Sequence, residues 1–287
     1  MFRAVVECGG VSAAELELNI GRSTISRHLT DLELRLGSRL CHRGPAGFSL
    51  THEGEHIYSA ALHLFGAIRE FQAEVDETSR SITGQLAVAF FDKCMTNRNA
   101  KLPEAIREFQ KIAPKVEIEV HVEPINAIET GVLNGQFQLG IVAMHRASDK
   151  LDYYDMYSET MYLYCGRNHP LFNEPESALT SEVLQKQNYA GFAFHSHNMM
   201  ASHDWKLKRR AIVNNEEALA LLVLSGQYVG FLPDHFTKQF VESGEMRALL
   251  PDQYSYQSEH AAIVRKIPKM PKRVEKFLEC LRHAHGM

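Results

Sequence analysis

Residues 12–54 constrain the fold more than any other stretch, because two apolar helical sets, a break between them and a glycine turn come at short intervals. Ala13, Ala14, Leu16 and Leu18 form the first set, and Asn19-Ile20-Gly21 interrupts it. Ile25, Leu29, Leu32 and Leu36 then recur at steps of four, three and four, which predicts a helix with one buried stripe and Gly21 as its N-cap. The opposite face, near the helix start, carries Arg22, Ser23, Thr24, Ser26, Arg27 and His28. A recognition helix in a DNA major groove sets such side chains against base edges and phosphates. A polar helix face is common, so the face alone decides little. Residues 40–54 decide more: Leu40-Cys41-His42-Arg43 leads into a Gly-Pro-Ala-Gly turn at 44–47, and Thr51-His52-Glu53-Gly54 opens another helix. Two short helices, a wing and a long helix make a winged helix-turn-helix, with Arg43 added to the DNA-facing set.

Charge agrees locally rather than globally. The chain has a net charge of −4, yet between Ile20 and Leu50 five arginines (Arg22, Arg27, Arg35, Arg39, Arg43) face only Asp31 and Glu33. A DNA-binding surface needs only such a local field. At 287 residues the chain exceeds one ordinary core and calls for a second unit. No apolar run approaches the roughly 18 residues that span a bilayer, and the start lacks a basic flank and apolar core, so no membrane partner and a cytoplasmic location are expected. The five cysteines are scattered without CxxC spacing, which argues against a disulfide framework or a thiolate zinc site.

The N-terminal elements resemble the LysR-type transcriptional regulators. That family's pattern of a paired small residue and Leu, Ser-Arg, Leu-Glu, Leu-Gly, Leu-x-x-Arg and Leu-Thr-x-x-Gly stands here as 14–18, Ser26-Arg27, Leu32-Glu33, Leu36-Gly37, Leu40 to Arg43 and Leu50 to Gly54. Two departures from it matter. Glu15 stands where a second small residue usually faces the core, and is expected at the edge of the packing with its carboxylate in solvent. Gly21-Arg22 replaces a Ser-Gln that caps the recognition helix, and Arg22 is expected to alter sequence preference. The family's first helix normally begins upstream of the position of Met1, so residues 2–7 read as its second half, complete in this short form or preceded by more chain.

Residues 51–79 contain no proline, and Ile57, Ala61, Leu64, Ile68, Phe71 and Val75 recur at heptad-like spacing behind the N-cap Thr51. Leu62 and Phe65 widen the stripe. A lone helix cannot leave such a seam in water, so it lies on its own domain or pairs with a second copy. The resemblance, which implies a dimer-forming linker helix here, favours a homodimer and, beyond it, a tetramer.

Beyond residue 84 the period changes. Strands are expected at 85–91, 116–122 and 139–143 with helices at 102–112 and 125–133 between them, then strands at 162–165, 188–192, 210–213 and 228–233 with a helix at 216–224. The order gives an α/β region of two lobes. It resembles the family's effector-binding region, similar in fold to periplasmic solute-binding proteins whose lobes are joined by crossing strands. The expected parts are a DNA-binding domain at 1–50, a linker helix and hinge at 51–83 and an effector-binding region at 84–287. Lobe 1 comprises about 84–157 and 263–287, and lobe 2 about 158–262. A final helix over 271–283 returns to lobe 1, and Gln138, where Asp is frequent in the family, reads as structural.

Ligands of open α/β sheets lie beyond the carboxyl ends of strands, near helix starts. The candidate effector residues are accordingly Lys93, Thr96, Asn97, Asn126, Phe194, His195, Ser196, His197, Tyr228 and Phe231, with Arg98 as a further cation. Cationic and neutral donors beside an apolar wall fit a small organic anion. The tract His195, His197 and His203 opens a metal-sensing alternative. Cys94 beside Lys93 gives a weaker hint of a redox switch. The reading is a ligand-responsive regulator that binds double-stranded operator DNA, with RNA polymerase as a further partner and neither cofactor nor catalytic residue. The other class, an α/β binding protein or enzyme, is read as having no nucleophile elbow, phosphate loop, dinucleotide fingerprint or HExxH helix to support it.

Overall fold

Helices α1 (Phe2–Glu7), α2 (Val11–Leu18) and α3 (Arg22–Leu36) enclose a small core of Phe2, Val5, Ala14, Ile25, Leu29 and Leu40. The turn between α2 and α3 works because Asn19 adopts a left-handed conformation (φ 51°), which an asparagine tolerates. At its other end α3 closes on Gly37 (φ 69°), with Ser38 N–H donating back to Glu33 O at 3.1 Å. Strands β1 (Cys41–Gly44) and β2 (Gly47–Leu50) pair antiparallel as a wing, Cys41 opposite Leu50 and Gly44 opposite Gly47. The computed structural model describes residues 1–44, 47–77, 82–193 and 197–287. The chain divides into two units, residues 1–71 with 134–136, and 72–133 with 137–287.

The expected helices form, but the expected cores shift. Leu16 is 87% exposed and Ala13 is also exposed, whereas Ala14 is fully buried. On a helix, residues two apart point to nearly opposite sides, so Ala14 and Leu18 share a face that Leu16 cannot join. Leu36, the last residue of α3, lies beyond the reach of the short helices and is exposed, so the α3 stripe is buried at Ile25 and Leu29 and thins at Leu32.

Thr51 caps the long helix α4 (His52–Glu77): Gly54 N–H donates to its Oγ1 at 3.0 Å, while the hydroxyl donates to Arg39 O at 2.6 Å. The backbone of Gly54 rests on that of Leu40, and a Cβ there would lie 1.9 Å from the Leu40 carbonyl oxygen.

The second unit is built on a nine-stranded sheet. Its elements are β3 (Thr83–Phe90), α5 (Leu102–Ile112), β4 (Lys115–Val122), α6 (Ile125–Leu133), β5 (Leu139–Ala143), β6 (Leu151–Gly166), α7 (Ser181–Gln185), β7 (Asn188–Phe192), α8 (His197–Asp204), β8 (Lys208–Val213), α9 (Glu216–Leu224), β9 (Val229–Pro233), α10 (Asp234–Glu242), β10 (Met246–Ala248), β11 (Ser255–Arg265) and α11 (Lys272–Ala284). Strand order is β4-β3-β5-β11-β6-β9-β7-β8, with β10 on β6. β3 runs parallel to β4 and β5 in lobe 1, and β7 parallel to β8 and β9 in lobe 2; β6 and β11 pair antiparallel through both lobes.

Gln138 is structural, since its side-chain oxygen accepts from Ala87 N–H at 2.8 Å while its own N–H donates to Ala87 O at 2.9 Å. α11 returns to α5, with the Phe277 ring edge-on to Phe109 at 5.3 Å between centroids. One apolar cluster runs from lobe 1 (Ala89, Phe91, Ile128) into lobe 2 (Phe192, Val213, Leu219). Among the described residues no helix is long and apolar enough to cross a membrane.

Gly54→Ala is expected to destabilise the N-terminal unit by about 1–3 kcal/mol, because the clash is with backbone and no side chain can rotate away. Thermal melting of the variant checks this. A midpoint equal to that of the unsubstituted protein would mean that α4 slides off Leu40 without cost.

Candidate DNA-reading face and inter-lobe cavity

The start of α3 leaves Arg22, Ser23, Arg27 and His28 exposed and Thr24 and Ser26 half-buried. Arg27 makes no ion pair among the described residues, which leaves its charge available to a partner. Arg43 does not share that freedom. Its guanidinium pairs with Glu33 and donates to Ser26 O at 3.3 Å, so it pins the wing to α3 instead of facing outward as expected from sequence. Glu33 completes this join by accepting from Leu40 N–H (2.8 Å) and Cys41 N–H (3.2 Å). The pin fixes the angle at which α3 is presented. Arg22 is engaged as well, with Nε donating to Glu15 Oε2 at 2.5 Å.

On α4 the apolar seam separates into two parts. Ile57 packs on the N-terminal core and Ala61 is half-buried, so neither sits on an open face as the heptad spacing suggests. From Leu64 onward the seam is exposed: Leu64, Phe65, Ile68, Phe71 and Val75 all face solvent in the single chain.

Between the lobes of the second unit lies a cavity of about 590 Å³. Lobe 1 contributes Thr96, Asn97, Arg98 and Asn99, the crossing strands Ser158, Glu159, Thr160 and Gln257, and the start of α10 Asp234, His235 and Lys238. His235 bridges the lobes, with Nδ1 2.8 Å from Thr96 Oγ1 and Nε2 2.8 Å from Glu159 Oε2. Asn97 Nδ2 donates to the same carboxylate oxygen at 3.3 Å, and His260 Nε2 lies 3.6 Å from Oε1. Burial pushes the Glu159 carboxyl up, but His260 and the His235 hydrogen bond outweigh it and hold the group below its ordinary value.

A second set of contacts crosses between the lobes nearby. Asp92 accepts from Glu217 N–H at the start of α9 (3.2 Å), and Lys93 reaches Glu217 Oε2 (3.1 Å) and Asp92 Oδ1 (3.4 Å). Lys93 is therefore committed to two carboxylates and to the Phe236 ring, 4.9 Å away, rather than free for an effector. Beside them Glu216 is 3% exposed, and its Oε2 has no hydrogen-bond partner among the described residues. Burial pushes this carboxyl well above its usual range, and the charges of Glu159 and Asp92 push it further.

Of the expected effector residues, Thr96 and Asn97 line the cavity. Asn126 is exposed at the start of α6, and Tyr228 is partly buried against the inter-lobe cluster. Phe231 is no cleft wall: it is fully buried in the lobe 2 core, stacked on Trp205 at 5.1 Å, because a central strand between two layers buries both its faces. Phe194, His195 and Ser196 lie outside the described residues, as does the side chain of His197. His203 is exposed on α8, and no group of three His, Cys, Asp or Glu among the described residues could hold a metal ion.

The Cys94 thiol is pushed by burial up to about 12 and donates to Phe91 O at 3.0 Å, the opposite of an activated thiolate. Sequence reasoning missed Glu159, Asp234, His235 and Lys238. The strand-end rule, applied to the carboxyl end of β9 rather than to its body, points to Asp234 and His235; Glu159, in mid-strand, gave no signal. It also passed over His52-Glu53-Gly54-Glu55-His56, which has HExxH spacing. The two imidazoles meet edge-on at 4.7 Å on the first turn of α4 with no third ligand among the described residues.

Comparison with known proteins covers nearly the whole chain. Residues 1–55 match the family described as bacterial regulatory helix-turn-helix protein, lysR family, and residues 79–286 match the LysR substrate binding domain. The HTH-type transcriptional activator BauR of Pseudomonas aeruginosa is 35% identical over 98% of this chain and 92% of its own length. The HTH-type transcriptional regulator CysL of Bacillus subtilis is 21% identical over 98% and 94%. Among solved structures, full-length CbnR complexed with its target DNA has a similar fold, with a TM-score of 0.66 at 19% identity over 100% of this chain and 98% of that one.

Glu216 gives the cavity region a measurable pH signature. As pH rises past the ordinary carboxylate value, about 4.3, the unfolded chain releases this proton while the folded chain keeps it, so the group makes stability fall until its raised value is passed. Glu216→Gln keeps the shape without the titration. Its melting temperature is expected to gain on the unsubstituted protein as pH rises above about 5, until the raised value of Glu216 is passed. A difference that stays constant over that range would show that Glu216 holds no proton there.

Proposed function

The chain belongs to the LysR family of transcriptional regulators and is a ligand-responsive, DNA-binding regulator rather than an enzyme; from that premise we propose how its parts divide the task. Residues 1–50 read double-stranded operator DNA through Arg22, Ser23, Thr24, Ser26, Arg27 and His28. Residues 51–83 join two copies, and residues 84–287 sense the effector. Dimers associate further into tetramers, the protein works in the cytoplasm where its DNA is, and RNA polymerase is a partner at the promoter. The observation that carries this division is the exposed, cationic start of α3 beside a wing that Glu33 and Arg43 lock in place.

The exposed run Leu64, Phe65, Ile68 and Phe71 supports pairing through α4, since burying it against a second copy removes the apolar surface from water. The effector is a small, polar organic anion. Supporting this, Arg98 of lobe 1 and Lys238 of lobe 2 line one cavity with neutral groups such as Thr96, Asn99 and Gln257, and of its two carboxylates Glu159 is already engaged by His235 and Asn97, with Asp234 the other. With Phe231 in the core, no aromatic wall is described there.

Leu64→Glu with Ile68→Glu is expected to give monomers in sedimentation and to abolish tight operator binding, because two half-sites must be held together. Assembly like that of the unsubstituted protein would place the dimer contact elsewhere. Arg98→Ala with Lys238→Ala is expected to leave operator binding intact while thermal stabilisation by small carboxylates disappears. Stabilisation at unchanged concentrations would move the effector to another pocket.

A further inference from the structure

Glu15 and Arg22, which both depart from the family's N-terminal pattern, touch each other. Arg22 Nε donates to Glu15 Oε2 at 2.5 Å, and the Arg22 backbone N–H approaches Glu15 Oε1 at 3.4 Å. Gly21, the N-cap of α3, has no side chain with which to cap the helix, and the first turn contains no acid. A carboxylate from α2 thus takes the place of a cap, at the positive end of the α3 dipole. The hydrogen bond from Arg22 also holds the Glu15 carboxyl below its ordinary value, so it stays ionised. With Nε engaged, the two Nη groups of Arg22 make no hydrogen bond among the described residues, and the side chain is 64% exposed.

We propose that Arg22 reads a guanine in the major groove of each half-site through its Nη edge, and that Glu15 is the positioning residue that aims it. This rests on α3 being the DNA-reading helix. The chemistry favours a base over a phosphate. A guanidinium beside a carboxylate is locally neutral and gains little from a phosphate, whose charge Glu15 repels, whereas bidentate donation to guanine O6 and N7 needs only two aligned N–H groups. Fixing a long side chain before it binds also lowers the entropy lost on binding. Arg27, with no ion pair among the described residues, is then the residue placed to meet phosphate. Glu15 and Arg22 then act as one unit, which gives this chain a base preference that a small residue and a Gln at the same positions would not produce.

The test selects binding sites for the full-length protein from randomised duplexes, then repeats the selection with Arg22→Ala and Glu15→Gln, after confirming by melting that both fold. The unsubstituted protein is expected to require guanine at one position of each half-site. Arg22→Ala should lose discrimination there by roughly tenfold or more, with other positions and the slope of affinity against salt unchanged. Glu15→Gln should blunt the same position and steepen the salt dependence, because Arg22 is then free to swing to phosphates. Replacing that guanine by 7-deazaguanine, which lacks N7, should weaken binding of the unsubstituted protein but add nothing to the loss in Arg22→Ala, and this arm needs no variant to fold.

A uniform loss of affinity in Arg22→Ala with a shallower salt slope would make Arg22 a phosphate contact and overturn the proposal alone. An unaltered base profile in Glu15→Gln would reduce Glu15 to a helix cap and overturn its positioning role. Absence of any sequence-selective binding by the unsubstituted protein would overturn the assignment of α3 as reader and the proposal with it.

Discussion

The backbone pairing of β6 with β11 is the constraint on which the C-terminal unit depends. The two strands pair from Tyr162 opposite Ser255 to Leu151 opposite Arg265, and so run through both lobes. β5 docks on one end through Ile263 and Gly140, and β9 on the other through Met161 and Pro233. Any change in the angle between the lobes must therefore be absorbed in the middle of this pair. There the register shifts between His260 and Ala261, and Glu159 lies opposite Ser258. A bulge bends a strand and re-aims its side chains, and here it falls where the cavity-lining carboxylate meets two histidines.

The N-terminal unit solves a similar problem on a smaller scale. A reading helix must meet DNA at a fixed angle, yet the core behind α3 contains few large side chains. Rigidity comes instead from polar pins at both ends of the helix. Near its C-terminal end Glu33 gathers two backbone N–H groups and the Arg43 guanidinium, and at its start Glu15 gathers Arg22. The first is half-buried and holds the wing; the second is exposed, where an ion pair contributes little to stability and its use lies in orientation.

Sequence patterns revealed most of the frame because the frame is periodic. Helices α5, α6 and α9 and strands β5 and β7 lie where apolar spacing put them, since each buries one continuous face or both faces of a strand. The crossing strands were less legible. Only 162–165 of β6 reads as a strand, because residues 152–160 are half-buried or exposed and mix Asp152, Asp155 and Glu159 with tyrosines, which hides the alternation. Single side chains were harder still. Arg43 looked like a DNA contact and Phe231 like a pocket wall by residue type alone, but Glu33 captures the first and the lobe 2 core the second. Neither outcome could be read without knowing which distant residues meet. Glu159 with His235, seventy-six positions apart in the chain, is the clearest case.

That same contact indicates how an occupant of the cavity could act on the lobes. The lobes are tied by Thr96 to His235 and by Asp92 and Lys93 to Glu217, while Glu159 in the crossing strand accepts from both sides. A ligand shifts a conformational equilibrium only by the difference in its contacts with the two states. An anion that drew His235 or Asn97 away from Glu159 would leave a buried carboxylate short of donors, and the crossing pair would have to adjust to supply them. Any ligand that competes for these donors would therefore act on strands that both lobes share.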